Sequence, residues 1–537
     1  MAQAVDCITA FRYYTYIHAN LAHLVEQRTR NAQVVGSSPT VGCKDSAFSG
    51  VFFFRFETLL PTALMTVGEV LQRWLVAAVV LFCAAVTSVK RFCRTTASRS
   101  LFFIALIHAT LARMKDSFVT VAMGELNHKW DDAVHREIDI YAHGSGIRSE
   151  FERDYTRLLH SQAYRRLKHK TQVFFAPHND HVCTRMEHVQ HVASVATTVA
   201  KYLGLNTELT DAIAIGHDIG HAPFGHHGED CLNALLPPKT GANAPKKFWH
   251  ERNSLFFADY IETLPNPEGV EKTLNLTYAV RDGLICHCGE IDQQGIRPRD
   301  DAIDLYGIKR PGFVQPFTWE GCVVKLADKV AFLGRDIEDA RTYHILDMGS
   351  YRQLREIVES TIGRTKNGVP ITYRSGKAVN TTVLINDLIV DLCEHSNPHA
   401  GLCFSEQYAR FITKLKKFAY ANIYNHWRLR EFQQYATNVL QTLYRTLLRT
   451  QPYAKNGRIP AGLRNYANLG RTFEDWLIRY TNYAPVGDAA RRHTLHYDTP
   501  TVFDIYDNES FQKCVIEYIS GMTDQFAITC YEEIIAF

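Results

Sequence analysis

Apolar residues recur at helical spacing along most of the chain beyond Leu126. Over Asp154 to Lys168, Leu158, Leu159, Ala163 and Leu167 fall near one face, with Arg157, Arg165, Arg166 and Lys168 nearby, which predicts a helix. Thr171 to Asp180 contains Pro177 and ends in His178-Asn179-Asp180, the chemistry of a turn. A long helix is expected from Thr184, because Val189, Val192, Val195, Ala196, Val199 and Leu203 repeat at its period and Gly204 supplies a stop. Asn206 is the expected cap of the next helix, and Glu208 lies favourably close to its positive end. Through Ala212, Ile213 and Ile215 that helix delivers His217 and Asp218 at its C-terminal end.

Pro237, Pro238, Gly241 and Pro245 mark a loop, after which helical patterning resumes around His250 to Leu264. Thr318 to Ala340 predicts another strong helix, on which Asp328, Phe332, Asp336 and Asp339 share one face. Tyr408 to Phe418, Arg430 to Leu448 and Phe511 to Ile535 are also helical in pattern, separated by loops such as Arg364 to Lys377 and Gln451 to Arg464. No internal repeat and no alternating strand set is visible. The expected class is all-α, with a short hairpin around Pro370 to Val383.

Residues 1–113 break this pattern. Two apolar runs, Trp74 to Val86 and Leu101 to Ala112, are each shorter than the roughly 20 residues a spanning helix needs. Both lie too far from the start for a cleavable signal peptide. Leu21 to Gly42 resembles the translation of a transfer-RNA gene, so the preferred expectation is a misplaced start, with Met114 as natural initiator and 1–113 a non-native or unstructured extension. The alternative is a membrane anchor, for which Lys90, Arg91 and Arg94 would mark the cytoplasmic flank.

Composition narrows the class. The 537 residues are 46% hydrophobic and 21% charged, with a formal charge of +3, as expected of a globular chain rather than a disordered one. Residues 1–113 hold eleven basic and five acidic side chains, leaving 48 and 51 beyond them, so charge alone does not imply wholesale nucleic-acid binding. The 13 cysteines are scattered without a CxxC pair. Reduced thiols of a cytoplasmic protein are expected, rather than zinc ligation by Cys286 and Cys288 around His287.

The candidate chemistry lies in Gly216-His217-Asp218-Ile219-Gly220-His221-Ala222-Pro223-Phe224-Gly225-His226-His227-Gly228-Glu229. Four histidines, two carboxylates and four glycines in fourteen residues are too polar for a piece of core. His217 and Asp218, taken with His188 on the preceding helix and Asp328 on a later one, give two imidazoles and two carboxylates. That set suits a divalent ion, Mn or Mg foremost and Fe, Ni or Co next, which would lower the pKa of water and neutralise phosphate charge. His226 and Glu229 lie three apart, so on a helix the carboxylate would orient the imidazole and raise its pKa for general-acid work.

The run Arg165 to Phe174 (RRLKHKTQVF), Thr184 to His188 (TRMEH), Gly216 to Glu229, Leu326 to Phe332 (LADKVAF) and Gly521 to Asp524 (GMTD) resembles the deoxyguanosine-triphosphate triphosphohydrolase branch of the HD superfamily. The resemblance spans about Ile147 to Ala527. It implies an HD core over about 184–340, a helical C-terminal part over 341–537, and a chain from 114 that cleaves dNTPs to deoxynucleoside and inorganic triphosphate. It implies His188, His217, Asp218 and Asp328 as metal ligands and His226, partnered by Glu229, as the group serving the leaving 5′ oxygen. Arg166, His221 and Lys329 would contact phosphates, and Phe332 and Asp336 would face the sugar. It further implies a homo-oligomer, with nucleotide or single-stranded nucleic-acid effectors in some members.

One departure stands out. The family commonly has tyrosine where this chain has Phe332, so a hydroxyl facing the sugar is missing, worth about 1 kcal/mol or more if its counterpart is left unpaired. Rival expectations are an HD phosphohydrolase acting on other nucleotides, and a nucleotide-binding regulator without turnover.

Overall fold

The computed structural model describes residues 117–138, 147–175, 182–236, 248–266, 268–289, 295–363, 371, 379–486 and 500–536. The readings of residues 1–113, of the Pro237 to Pro245 loop and of most of the expected 370–383 hairpin fall outside them. The architecture is helical, as expected, and the one sheet among the described residues is an antiparallel hairpin of β1 (Thr263–Pro265) and β2 (Glu271–Thr273), with Leu264 opposite Lys272. Among the described residues, no helix is long and apolar enough to cross a membrane.

Seven helices frame the site: α1 (Glu150–His160), α2 (Arg185–Leu203), α3 (Thr207–Gly216), α4 (Gly225–Leu235), α5 (His250–Phe256), α6 (Tyr278–Cys286) and α7 (Trp319–Thr342). The central layer is α2 against α3 and α7, with α1 and α6 also packed on α3. Val189, Val192, Ala196 and Val199 of α2 are fully buried along one stripe, and each such valine contributes on the order of 1.5–3 kcal/mol. Local chemistry fixes where α2 begins and ends. Thr184 and Glu187 form a capping box, and Gly204 ends the helix at φ 78° with Val119 packed where a side chain would stand. Asn206 caps α3 by accepting from the amides of Glu208 and Leu209 at 3.0 Å each, and Thr318 caps α7 by accepting from Gly321.

Three expected helices are shaped differently. The helix over 154–168 begins earlier, at the Ser149 capping box, and breaks at Ser161, whose hydroxyl donates to Leu158 O and accepts from the Tyr164 amide. The 250–264 helix widens into a π turn over Phe257–Ile261 and then becomes β1. The 511–535 stretch is two helices, divided at Gly521-Met522-Thr523, where Thr523 caps the second.

The C-terminal half adds α8 (Met348–Thr361), α9 (Thr381–His395), α10 (Glu406–Ala419), α11 (Trp427–Leu448), α12 (Leu469–Tyr480), α13 (Asn508–Ser520) and α14 (Asp524–Ile535). α11 packs against α4, α13 and α14, and a π turn over Tyr420–Tyr424 joins α10 to it. This arrangement brings Tyr420, Tyr424 and Phe432 to the same cavity as residues of α2 and α7.

Candidate active site

His217 sits at the C-terminal cap of α3. Its Nδ1–H donates to Ala214 O at 2.7 Å, which fixes the tautomer and leaves a lone pair on Nε2. That nitrogen is buried and has no hydrogen-bond partner. His188 from α2 places its Nε2 3.0 Å from Asp328 Oδ1 of α7, and the ligand atoms of His188, His217 and Asp328 all lie within 4.8 Å of one another. An orphaned, desolvated imidazole nitrogen facing a second imidazole and a carboxylate is a donor set compatible with a divalent ion.

Asp218 adjoins this trio without fully joining it. Its Oδ2 is 3.7 Å from His217 Nε2 but takes a 2.6 Å ion pair from Arg185 Nη1. Burial would raise this carboxyl, but Arg185 and the surrounding histidines hold it well below its usual range. Burial lowers His217, and it brings His287 down to about 3, so both rings are neutral and able to donate lone pairs. His287 repeats the device of His217: it caps α6, donates Nδ1–H to Leu284 O at 2.8 Å and leaves Nε2 buried and unpartnered.

The glycine-rich loop wraps the other side. At Gly220 a Cβ would lie 2.1 Å from the Ser254 amide nitrogen, and at Gly228 it would lie 1.8 Å from Pro223 O, so both positions demand glycine. α4 then presents His226, 73% exposed at its side chain, with Nδ1 3.5 Å from Glu229 Oε2. Glu229 is shared: its Oε2 is also 3.1 Å from His250 Nδ1. Burial works against protonated His250, yet Glu251 and Glu229 outweigh it and raise the ring to about 10.

Of these groups, Arg185, His188, Asp218, His226, His250, His287 and Asp328 face a cavity of about 490 Å³, while His217 and Glu229 are not among its lining residues. Arg185, Lys329 and Lys416 make one part of its lining basic, while Phe332, Tyr420, Tyr424 and Phe432 make another part aromatic. Tyr424 donates its hydroxyl to Asp336 Oδ2 at 2.5 Å, and burial raises the Asp336 carboxyl to about 6. A phenolic hydroxyl therefore does stand beside Asp336, supplied from the π turn rather than from position 332.

Two expected phosphate contacts are not brought to the cavity surface. Arg166 is turned to Glu262, 2.7 Å away, and Arg185 is the guanidinium that lines the cavity instead. His221 is fully buried behind the wall, its ring stacked on His250 at 4.5 Å with neither nitrogen hydrogen-bonded. Lys329, Phe332, Asp336, His226, His188, Asp218 and Asp328 all line the cavity. Sequence reasoning missed Arg185, His250 and Tyr424. Arg185 lies inside the Thr184–His188 motif and was recoverable, whereas His250 and Tyr424 carry no local pattern. All nine described cysteines are free, with Cys286 hydrogen-bonded to Asp282.

The fold and this site define an HD-domain phosphohydrolase, and comparison with known proteins agrees. A family model for the HD domain matches residues 185–333, and one for the phosphohydrolase-associated domain matches 402–467. Relatives named deoxyguanosinetriphosphate triphosphohydrolase-like protein include that of Ralstonia pickettii, 32% identical over 57% of this chain and 78% of its own. That of Thiobacillus denitrificans is 30% identical over 75% and 94%, and that of Caldanaerobacter subterraneus 29% over 72% and 85%. The chain belongs to this deoxyguanosinetriphosphate triphosphohydrolase-like family of HD phosphohydrolases.

Proposed function

We propose that the chain hydrolyses deoxynucleoside triphosphates at the α-phosphorus, releasing deoxynucleoside and inorganic triphosphate. The observation that carries this reading is the composition of one cavity: a histidine–carboxylate cluster, basic side chains and an aromatic, carboxylate-bearing part fit metal, phosphates and nucleoside in turn. His188, His217, Asp218 and Asp328 would hold the divalent ion, which supplies charge neutralisation and an acidified water. Arg185 orients Asp218 through their 2.6 Å pair, and Lys329 and Lys416 balance phosphate charge.

His226 is the exposed ring on the cavity and has a carboxylate partner, so it holds the proton for the leaving group. As a water oxygen bonds to the α-phosphorus, the bond to the 5′ oxygen breaks, the proton on His226 passes to that oxygen, and the proton shed by the water goes to solvent, from which the ring is reprotonated. Glu229 stabilises the imidazolium before transfer, and His250 fixes Glu229 from the other side. Asp336 and Tyr424 form a hydrogen-bonding pair for the sugar, and Phe332 packs beside it.

Chromatography of dGTP incubated with manganese tests this reading. Deoxyguanosine should appear with the wild-type chain, and Asp218→Ala should abolish it. Wild type no faster than Asp218→Ala would leave a nucleotide-binding regulator as the better account. The engagement of Arg166 by Glu262 favours a second reading, in which a shorter phosphate chain is cleaved. Release of deoxyguanosine from dGMP but not from dGTP would establish it.

A further inference from the structure

The segment that places His250 in the active site has a second face. Trp249, Arg252 and Phe256, three and four positions apart, form a stripe on another face from that of His250 and Ser254. His250 points to Asp218 and Glu229, while Ser254 Oγ donates to His217 O at 2.7 Å. The Trp249 stripe opens into a separate cavity of about 600 Å³, lined from α13 by the buried Ile516 and Glu517, with the exposed Lys513 at its rim. No residue lining it lines the first cavity. Its size is that of a small-molecule site.

The lining specifies the ligand's chemistry. Trp249, Phe256, Tyr260 and Tyr306 give aromatic walls, with Tyr260 ring centroids 5.3 Å from Phe256 and 5.9 Å from Tyr306. Such walls take a planar ring, because aromatic faces stack on conjugated systems of similar thickness. Charge then decides which ring compound. The two cations are already engaged: the Arg252 guanidinium lies over Trp249 at 5.5 Å and Tyr306 at 5.4 Å and donates to Tyr306 O and Ile308 O, and Lys513 sits 4.7 Å over Phe256. Three carboxylates, Asp507, Glu509 and Glu517, face the same space. Burial holds Glu517 partly protonated near neutral pH, so the two cations face the exposed Asp507 and Glu509, which leaves no surplus positive charge for a polyphosphate, whereas Asp507, Glu509 and Ser510 offer acceptors for ring N–H and sugar O–H groups.

We propose that this cavity is a second ligand site, which binds a neutral nucleoside by stacking its base against the half-buried Tyr260 and Tyr306 and accepting its hydrogen bonds on Asp507 and Glu509. It stands back to back with the catalytic cavity across α5, and its chemistry is independent of which phosphate bond the first cavity cleaves.

The test is calorimetric titration of deoxyguanosine into the full chain, wild type and two variants that fill the cavity from exposed rim positions, Thr501→Trp and Lys513→Trp. At least tenfold weaker nucleoside binding in either variant, with manganese binding unchanged, supports the site. Unaltered nucleoside affinity in both variants, or no binding by wild type, overturns it. Binding of inorganic triphosphate that the same substitutions abolish also overturns it. As a check that needs no variant, photolysis of 8-azido-2′-deoxyadenosine with the wild-type chain should label peptides containing Tyr260 or Tyr306. Label confined to peptides of the first cavity would contradict the proposal.

Discussion

Asp524 accepts the Phe224 amide on Oδ1 at 2.9 Å, tying the first turn of the last helix to the glycine-rich loop 300 positions earlier in the chain. Phe224 is in the left-handed region at φ 64°, an unfavourable conformation for a side chain of its size. The other oxygen of Asp524 accepts from the Thr171 amide at 2.8 Å and from the Thr171 hydroxyl. The buried Lys170 next to it donates to His221 O and Ser520 O. The C-terminal helix thus holds the loop that presents His226.

Asp524→Ala should therefore behave as an active-site lesion at a distance. Two backbone amides lose their acceptor, at about 1–3 kcal/mol each. Thermal unfolding should show lowered stability. Turnover should fall at least tenfold with manganese affinity nearly unchanged, since the metal-cluster residues stand on α2, α3 and α7. A variant that is as active as wild type would show that the loop keeps its conformation without this tether.

Tyr424→Phe separates the sugar contact from the chemistry. Losing the hydroxyl leaves Asp336 buried without its donor, so kcat/KM for dGTP should drop about five- to thirtyfold, corresponding to roughly 1–2 kcal/mol. Adding Phe332→Tyr to that variant should restore much of the loss, because a hydroxyl would return to the same part of the cavity from α7. Steady-state kinetics of the single and double variants decide this, and an undiminished kcat/KM in Tyr424→Phe would rule the contact out.

The two arginines predict opposite phenotypes. Arg185→Ala removes the 2.6 Å partner of buried Asp218 and should abolish activity. Arg166→Ala removes the partner of Glu262, which is 4% exposed, and should cost about 1–3 kcal/mol of stability while leaving kcat/KM within threefold. A hundredfold loss of activity with unchanged stability in Arg166→Ala would return Arg166 to the phosphates.

Glu517 supplies a pH test. Burial raises its carboxyl to about 7, above the ordinary value of 4.5, so the folded state retains a proton that the unfolded state releases between those values. The cost is absent below about pH 4.5, grows through the interval and is fully present above pH 7. Glu517→Gln should thus melt higher than wild type at pH 8, by up to about 3 kcal/mol, with the difference closing near pH 4.5. Denaturant melts of both proteins across this range check the sign.

How far the sequence was legible follows the range of the interactions involved. The ends of α2, α3 and α7 are set by caps within three residues of Thr184, Asn206 and Thr318, and these could be read directly. His188, His217, Asp218 and Asp328 came from motif order and the family resemblance, since three different helices bring them together. Tyr424 and His250 were invisible because each acts through long-range packing: Tyr424 meets Asp336 across 88 positions. The pairing of Arg166 with Glu262 was invisible for the same reason, as Glu262 is 96 residues away in a segment expected to be plain helix. The breaks at Ser161 and at Gly521 to Thr523 were local and legible. Ser161 and Thr523 are ordinary capping residues, overridden in the reading by the apolar periodicity around them.

The central claim is that water attacks the α-phosphorus and the 5′ oxygen leaves with the nucleoside. Turnover of dGTP in ¹⁸O-labelled water, with both products analysed by mass spectrometry, addresses it directly. One ¹⁸O atom should appear in inorganic triphosphate and none in deoxyguanosine. Label in the 5′ hydroxyl, or pyrophosphate or orthophosphate in place of triphosphate, would contradict it.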